Sequence, residues 1–173
     1  MQTAGGARES GSGRPLAGFL IRLVLIWVVC AAALAVFPQI ERGAIRATVA
    51  SSALTLRALN CSPIVSGAQI HAAGVSIQIV PDCTPTLAFV LLGGAIAAYP
   101  LPRRRKLLAL AASIPVLWTY NILRVVVLVF VLARCSRATF DLVHVYLWQS
   151  ITIAVVAGLF ILSISGADRD PAR

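Results

Sequence analysis

The chain has 173 residues, 59% of them apolar, with a mean hydropathy of +0.89. That excess excludes an ordinary soluble domain and points to burial in lipid. Only 12% of residues are charged, for a net charge of +9; with no basic face interleaved with aromatics, nucleic acid is set aside as a partner and the charge is read as membrane topology.

Residues 1–15 are rich in Gly, Ser and Ala and carry Arg8 and Arg14. They are expected to be a flexible cytoplasmic tail. The run 16–37 is long enough to cross a hydrocarbon core of about 30 Å. It is too long for the apolar part of a signal peptide, and Phe37-Pro38-Gln39 is a poor cleavage site. It is therefore read as an uncleaved span, with Arg22 snorkelling near its inner end.

Residues 38–82 are expected to form an extracytoplasmic insert. Within it, Ile45, Val49, Leu56 and Leu59 recur near helical spacing among Glu41, Arg42, Arg46 and Arg57. That pattern predicts a small amphipathic helix at the membrane interface. Pro63 breaks it. The alternating run VSIQIV after Ala72-Ala73-Gly74 is a candidate β-hairpin.

The second span is placed at 84–99, short, with Gly93-Gly94 permitting close helix packing. Pro100 and Pro102 end it, and Arg103-Arg104-Arg105-Lys106 follows. The third apolar run, 107–133, would be about 40 Å long as a straight helix, so it must tilt, break or protrude. The fourth span is placed at 144–165, and 166–173 is a second cytoplasmic tail. The fold class is thus an all-α integral membrane protein with about four transmembrane helices, forming a single embedded domain over 16–165. The basic loop at 103–106 puts both termini in the cytoplasm.

This topology brings three reactive residue types to one outer level. Cys83 opens the second span, Arg124 interrupts the apolar third, and His144 opens the fourth. An ionisable residue in a span is costly and marks function by default. A thiol beside an imidazole has the parts for acyl transfer. Thr84 is expected to cap the second span, with Pro85 at its first helical position. The partial positive charge of that helix end favours thiolate at Cys83. Asp82, next in line, opposes it. His144 can take a proton and return it. Arg124 can favour the thiolate or hold a tetrahedral oxyanion; both uses stay open. Asn121 lies one turn before Arg124, on the same face, and is expected to make a helix–helix hydrogen bond.

The plainer readings differ in weight. Cys83 alone is more often a small buried hydrophobe. His144 alone fits an aromatic belt with Tyr146 and Trp148. Arg124 alone fits an ion pair with Asp82 or Asp141. His71 is read as a hairpin residue. Of the four cysteines, Cys30 is packing, and Cys61 and Cys135 both fall outside as a candidate disulfide. No C-x-x-C pair or local ligand cluster exists, so neither metal nor cofactor is expected.

Cys83-Thr84, Asn121-Ile122-Leu123-Arg124 and His144, in this order on the spans, resemble the exosortase/archaeosortase family of membrane cysteine transpeptidases. Small size and the segment FDLVHVYLWQ are most similar to the compact exosortase H-type branch. The resemblance covers roughly residues 75–165, and Pro85 departs from the Gly or Ala often found after the cysteine. It implies partners that are membrane-anchored proteins with a C-terminal tripartite sorting signal: a short motif, a membrane helix and a basic cluster. It implies cleavage on the outer face of a bacterial cytoplasmic membrane. Cys83 would form a thioester, His144 would act as acid and base, and Arg124 would stabilise charge. Two rivals are a four-helix membrane thiol oxidoreductase and a non-enzymatic membrane subunit whose Arg124 pairs with a partner's carboxylate.

Overall fold

The computed structural model describes residues 13–165. The distal parts of both expected tails, 1–12 and 166–173, lie outside the described residues. Helix α1 (Gly13–Val36) leads into α2 (Pro38–Ala58), with Pro38 at a first-turn position where a missing N–H costs nothing. Strands β1 (Ile64–Ser66), β2 (Gln69–Ala72) and β3 (Val75–Gln78) follow, then a 3₁₀ turn Pro81–Cys83. The rest is helical: α3 (Thr86–Ala98), α4 (Arg103–Arg134), α5 (Arg137–Leu142), a π-turn Val143–Leu147, and α6 (Trp148–Ser165).

Three helical segments are long and apolar enough to cross a membrane: Leu16–Val36, Arg103–Arg134 and Arg137–Ser165. The segment expected as the second span forms α3, with 13 residues and a length of about 20 Å. That is shorter than the hydrocarbon core. Helix α3 contacts α1, α4 and α6, so protein rather than lipid surrounds much of it. Gly94 makes the α1 contact: a Cβ there would lie 2.5 Å from Trp27 Nε1. Lys106 reaches back from α4 to the Ala97 carbonyl and satisfies an otherwise open group in the last turn of α3.

Helix α4 spans 32 residues, or about 48 Å, and runs through Pro115. It takes in the basic cluster as its first turn, so the third span starts before residue 107. Of the three outcomes open to so long a run, breaking is ruled out.

The amphipathic helix is present as α2. Val49 and Leu56 are buried as expected, joined by Thr48, Ser52 and Ala53; Leu59 lies just past the helix and is exposed. Its inner face rests on α4, on β2 and on the 3₁₀ turn. Protein takes the place that the expectation gave to lipid.

The expected hairpin is β2–β3, and β1 extends it to an antiparallel sheet of order β1-β2-β3. The pair Ala72↔Val75 closes on Ala73-Gly74, with φ of 51° and 78°. Positive φ at both central residues is what a type I′ turn requires. The pair Ser66↔Gln69 closes on Gly67-Ala68, with Gly67 at φ 60°, the position glycine takes in a type II′ turn. One face of the sheet buries Ile70, Ala72 and Ile77 in a cluster with Val49, Leu56, Val125 and Val129. A second cluster, Ala88, Leu92, Ile96 and Leu117, joins α3 to α4 deeper in the bundle.

The last helix departs from expectation. It begins at Arg137 with Ser136 as N-cap, whose Oγ accepts from Thr139 N at 3.2 Å. His144 therefore does not open the span. It lies two turns inside, in the π-turn, where Trp148 N bonds back to the Val143 carbonyl. The residues from Arg137 look like a loop in sequence because Arg, Thr and Asp precede the apolar run. The Ser136 cap supplies the helix start that hydropathy alone does not reveal.

Candidate active site

Cys83 ends the 3₁₀ turn and is 5% exposed. Its N–H donates to the Val80 carbonyl at 2.8 Å. Thr84 then turns extended, and its Oγ1 donates to the Pro81 carbonyl at 2.7 Å and accepts from Thr86 N at 3.4 Å. Thr84 Oγ1 thus takes one open N–H at the start of α3, but the N-cap is Pro85, one residue later than expected, and Pro85 is not the first helical residue. Cys83 sits just ahead of that helix end.

Two residues of α4 hold this turn. Asn121 Nδ2 donates to the Cys83 carbonyl at 3.0 Å. Arg124 Nη1 donates to the Asp82 carbonyl at 3.2 Å. Their separation of three residues puts both on one face of α4. The helix–helix bond expected of Asn121 is instead a bond to the peptide unit of the cysteine itself. Arg124 bonds a main-chain oxygen, not the Asp82 carboxylate. Among the described residues, Asp141 forms its ion pair with Arg137, at 4.0 Å, so the ion-pair reading of Arg124 finds no partner there. Arg124 is 7% exposed, and its Nε is buried without an acceptor.

A cleft of about 300 Å³ is lined by Cys83 and His144 together, with Phe140 beside them. The His144 ring stacks on Phe140 at 5.5 Å and 9°, which fixes its plane. Its Nδ1 is buried without a partner. Arg124, Asp141 and Asp82 are the charged groups whose fields reach the imidazole. Residues 76–80, at the end of the sheet, also line the cleft, with Val125, Leu128 and Leu132 of α4 as an apolar patch and Arg137 and Asp141 as charged groups.

Arg124 does not line this cleft. It lines a second cavity of about 560 Å³ behind the turn, together with Asp82, Thr84 and Asn121. The far end of that cavity is apolar, walled by Trp27, Leu91 and Phe160. The 82–84 turn therefore has the cleft on one side and the α4 clamp on the other.

The sequence reading missed Phe140, which stands four residues before His144 on the same helix face, a spacing visible in FDLVH. It also missed residues 76–80, because nothing in a short alternating run tells that it shares a cleft with a cysteine. Tyr120 went unnoticed too. Its hydroxyl bonds Thr152 Oγ1 at 2.7 Å and the Trp148 carbonyl at 3.2 Å, tying α4 to α6 just past the π-turn. A π-turn adds a residue to one turn, offsetting the faces before and after it by about 100°. That offset lets His144 meet the cleft while Trp148 is buried against Tyr120.

The remaining expectations fall away from the site. Cys30, Cys61, Cys83 and Cys135 are all free thiols, so the expected Cys61–Cys135 bridge is absent. His71 is a strand residue of β2, as read from the sequence. No group of His, Cys, Asp or Glu among the described residues is arranged to hold a metal ion.

No curated protein and no solved structure matches the chain. A family model does, over residues 6–163, well beyond the 75–165 that the motifs alone cover, and its description is transmembrane exosortase. With nearly the whole chain matched and the helices of a multi-pass membrane protein in place, this protein belongs to the transmembrane exosortase family.

Proposed function

We propose that the chain is a membrane-embedded cysteine peptidase or transpeptidase that cleaves C-terminal protein-sorting signals through a thioester. The observation that carries this reading is the shared cleft of Cys83 and His144, residues far apart in sequence on two different helices. Neither the oxidoreductase nor the subunit reading accounts for an imidazole and a thiol lining one cleft. The oxidoreductase also needs a second reactive cysteine, and the cleft-lining residues include no other.

In the proposed reaction the Cys83 thiol gives its proton to His144, and Sγ bonds the scissile carbonyl carbon. The oxyanion collapses, the C–N bond breaks, and His144 returns the proton to the leaving amine. An acceptor amine or water then attacks the thioester carbonyl and regenerates the thiol. Arg124 supplies positive charge from behind the Cys83 turn, without touching the reacting atoms, in a buried site where that charge is worth more than in water. Asn121 and Thr84 hold the Cys83 turn; Asp82 presents its carbonyl to Arg124.

The substrates proposed are membrane-anchored proteins carrying the tripartite tail. The location proposed is the bacterial cytoplasmic membrane, with the cleft outside. The basic first turn of α4 supports this orientation: Arg124 lies 21 residues past Arg103 on one helix, about 32 Å away, at the opposite membrane face. The test is co-expression with a protein bearing such a tail. Wild type should process it; Cys83→Ala and His144→Ala should leave it intact. Processing by Cys83→Ala at the wild-type rate would falsify the reading.

A further inference from the structure

We infer that the free edge of β3 is the substrate-binding element: the sorted protein's cleavage segment enters the cleft extended and pairs with β3 as a further strand. This rests on the proposed reading of Cys83 as the nucleophile.

Strand β3 is an edge strand, paired only with β2. Its register fixes which groups are open. Ile79 N donates to the Ala68 carbonyl at 2.8 Å. Antiparallel alternation then turns the N–H and C=O of Val75, Ile77 and Ile79 toward β2, given the pairs Ala72↔Val75 and Ile70↔Ile77. The N–H and C=O of Ser76 and Gln78 turn the other way, to the open edge. Residues 76 through 80 line the cleft that holds Cys83 and His144. The unpaired backbone groups and the thiol thus share one space.

A strand added to a sheet needs only about 4.8 Å beside its neighbour, and its occupant must be extended to meet the outward N–H and C=O of Ser76 and Gln78. Main-chain pairing supplies affinity without regard to sequence, and alternate side chains supply selection. Alternate residues of the bound strand would rest on Val125, Leu128 and Leu132, an apolar patch that accepts small or apolar side chains, while Arg137 and Asp141 of the same cleft can meet polar ones. The residues between them would face away from the patch. The anchor is firm, because Ile77 and Ile79 are buried in the core beneath. An open edge is otherwise a hazard that proteins cover or blunt.

The test uses the full-length protein in membranes with a co-expressed tripartite-tail protein. Gln78→Pro removes one outward N–H while leaving the ladder to β2 in place, since proline is tolerated where an edge N–H faces away from the sheet. Val65→Pro makes the same change at the opposite edge of the sheet, on β1 and outside the cleft, where Val65 pairs with Ile70 and turns its N–H away from β2. We expect Gln78→Pro to process at least tenfold more slowly and Val65→Pro to stay within twofold of wild type. Equal rates for the two variants, fast or slow, overturn the pairing. A second measurement does not depend on the proline variant folding. In Cys83→Ala co-purified with the tail protein, amide exchange at Ser76 and Gln78 should slow at least tenfold against the free enzyme, with Ile77 and Ile79 unchanged. A complex that leaves Ser76 and Gln78 exchanging freely overturns the inference. So does protection that rises with enzyme concentration and no tail present, which assigns the edge to a second copy of the chain. Loss of the parent reading looks different: Cys83→Ala would still process.

Discussion

The side-chain amide of Asn121 donates to the main-chain carbonyl of Cys83 at 3.0 Å, across two helices and inside the core. The thiol is therefore positioned through its own peptide unit. Asn121→Ala would strand a buried acceptor, a loss of about 1–3 kcal/mol. Asn121→Asp would place a carboxylate against a carbonyl and should be worse. Both should lower processing more than they lower binding of the tail protein to a Cys83→Ala background. Thermal unfolding in detergent alongside turnover separates the two effects. Unchanged turnover in Asn121→Ala would mean that the turn holds itself.

Arg124 carries a heavier demand, because its guanidinium holds the Asp82 carbonyl and keeps a further buried N–H unused. Arg124→Ala should reduce turnover by about tenfold to a hundredfold, because it leaves the buried Asp82 carbonyl without its donor and loosens the turn that carries Cys83. Arg124→Lys keeps a charge but not the planar fork, so it cannot both clamp the turn and serve the reaction. It should fall between alanine and wild type. Single-turnover rates of thioester formation measure this. A lysine variant with full activity would reduce Arg124 to a point charge.

The two adjacent glycines of α3 should behave oppositely. A Cβ on Gly94 would lie 2.5 Å from Trp27 Nε1, so Gly94→Ala must push α1 away, at a cost of about 1–3 kcal/mol. A Cβ on Gly93 would meet Leu110 at 3.8 Å, an ordinary contact. Gly93→Ala should be neutral or slightly stabilising, since alanine is the better helix former. Melting temperatures of the two variants in one detergent decide it. Equal losses would remove the α1–α3 contact as the cause.

Orientation is read from the basic first turn of α4. Reporter fusions after Asn60, Lys106, Cys135 and Ser165 should read outside, inside, outside, inside. An outside signal at Lys106 would turn the cleft to the cytoplasm and sink the proposed sorting role.

The thiols should differ by access. Cys135 is exposed, Cys30 and Cys61 are half-buried, and Cys83 is buried. A bulky water-soluble maleimide should label Cys135 well ahead of Cys83, whereas a methyl thiosulfonate should enter the cleft and block processing. Mass mapping of the unlabelled protein should find Cys61 and Cys135 free. A bridged pair there would contradict the structure.

Much of the architecture follows from sequence because its causes are local. Three runs of apolar residues are long enough to match a bilayer, and Arg103-Arg104-Arg105-Lys106 marks one end of the bundle whatever its neighbours do. Pro63, Ala73-Gly74 and the alternation of VSIQIV announce the hairpin by turn chemistry and period. Arg124 and His144 stand out because each is the wrong residue for lipid, and Cys83 because it opens a predicted span at their level. What tertiary structure alone decided is which partners these groups meet. Asn121 and Arg124 reach two successive carbonyls only because α4 packs against the 3₁₀ turn. The helix of His144 starts a full segment early, on a Ser136 cap that hydropathy cannot register. The π-turn that aims its ring has no sequence signature, because it answers to the packing of Tyr120 against Trp148. Residues 76–80 share a cleft with the thiol because the inner face of the sheet is pinned to α2 and α4. Those are contacts between residues distant in the chain, and periodicity along one segment carries no information about them.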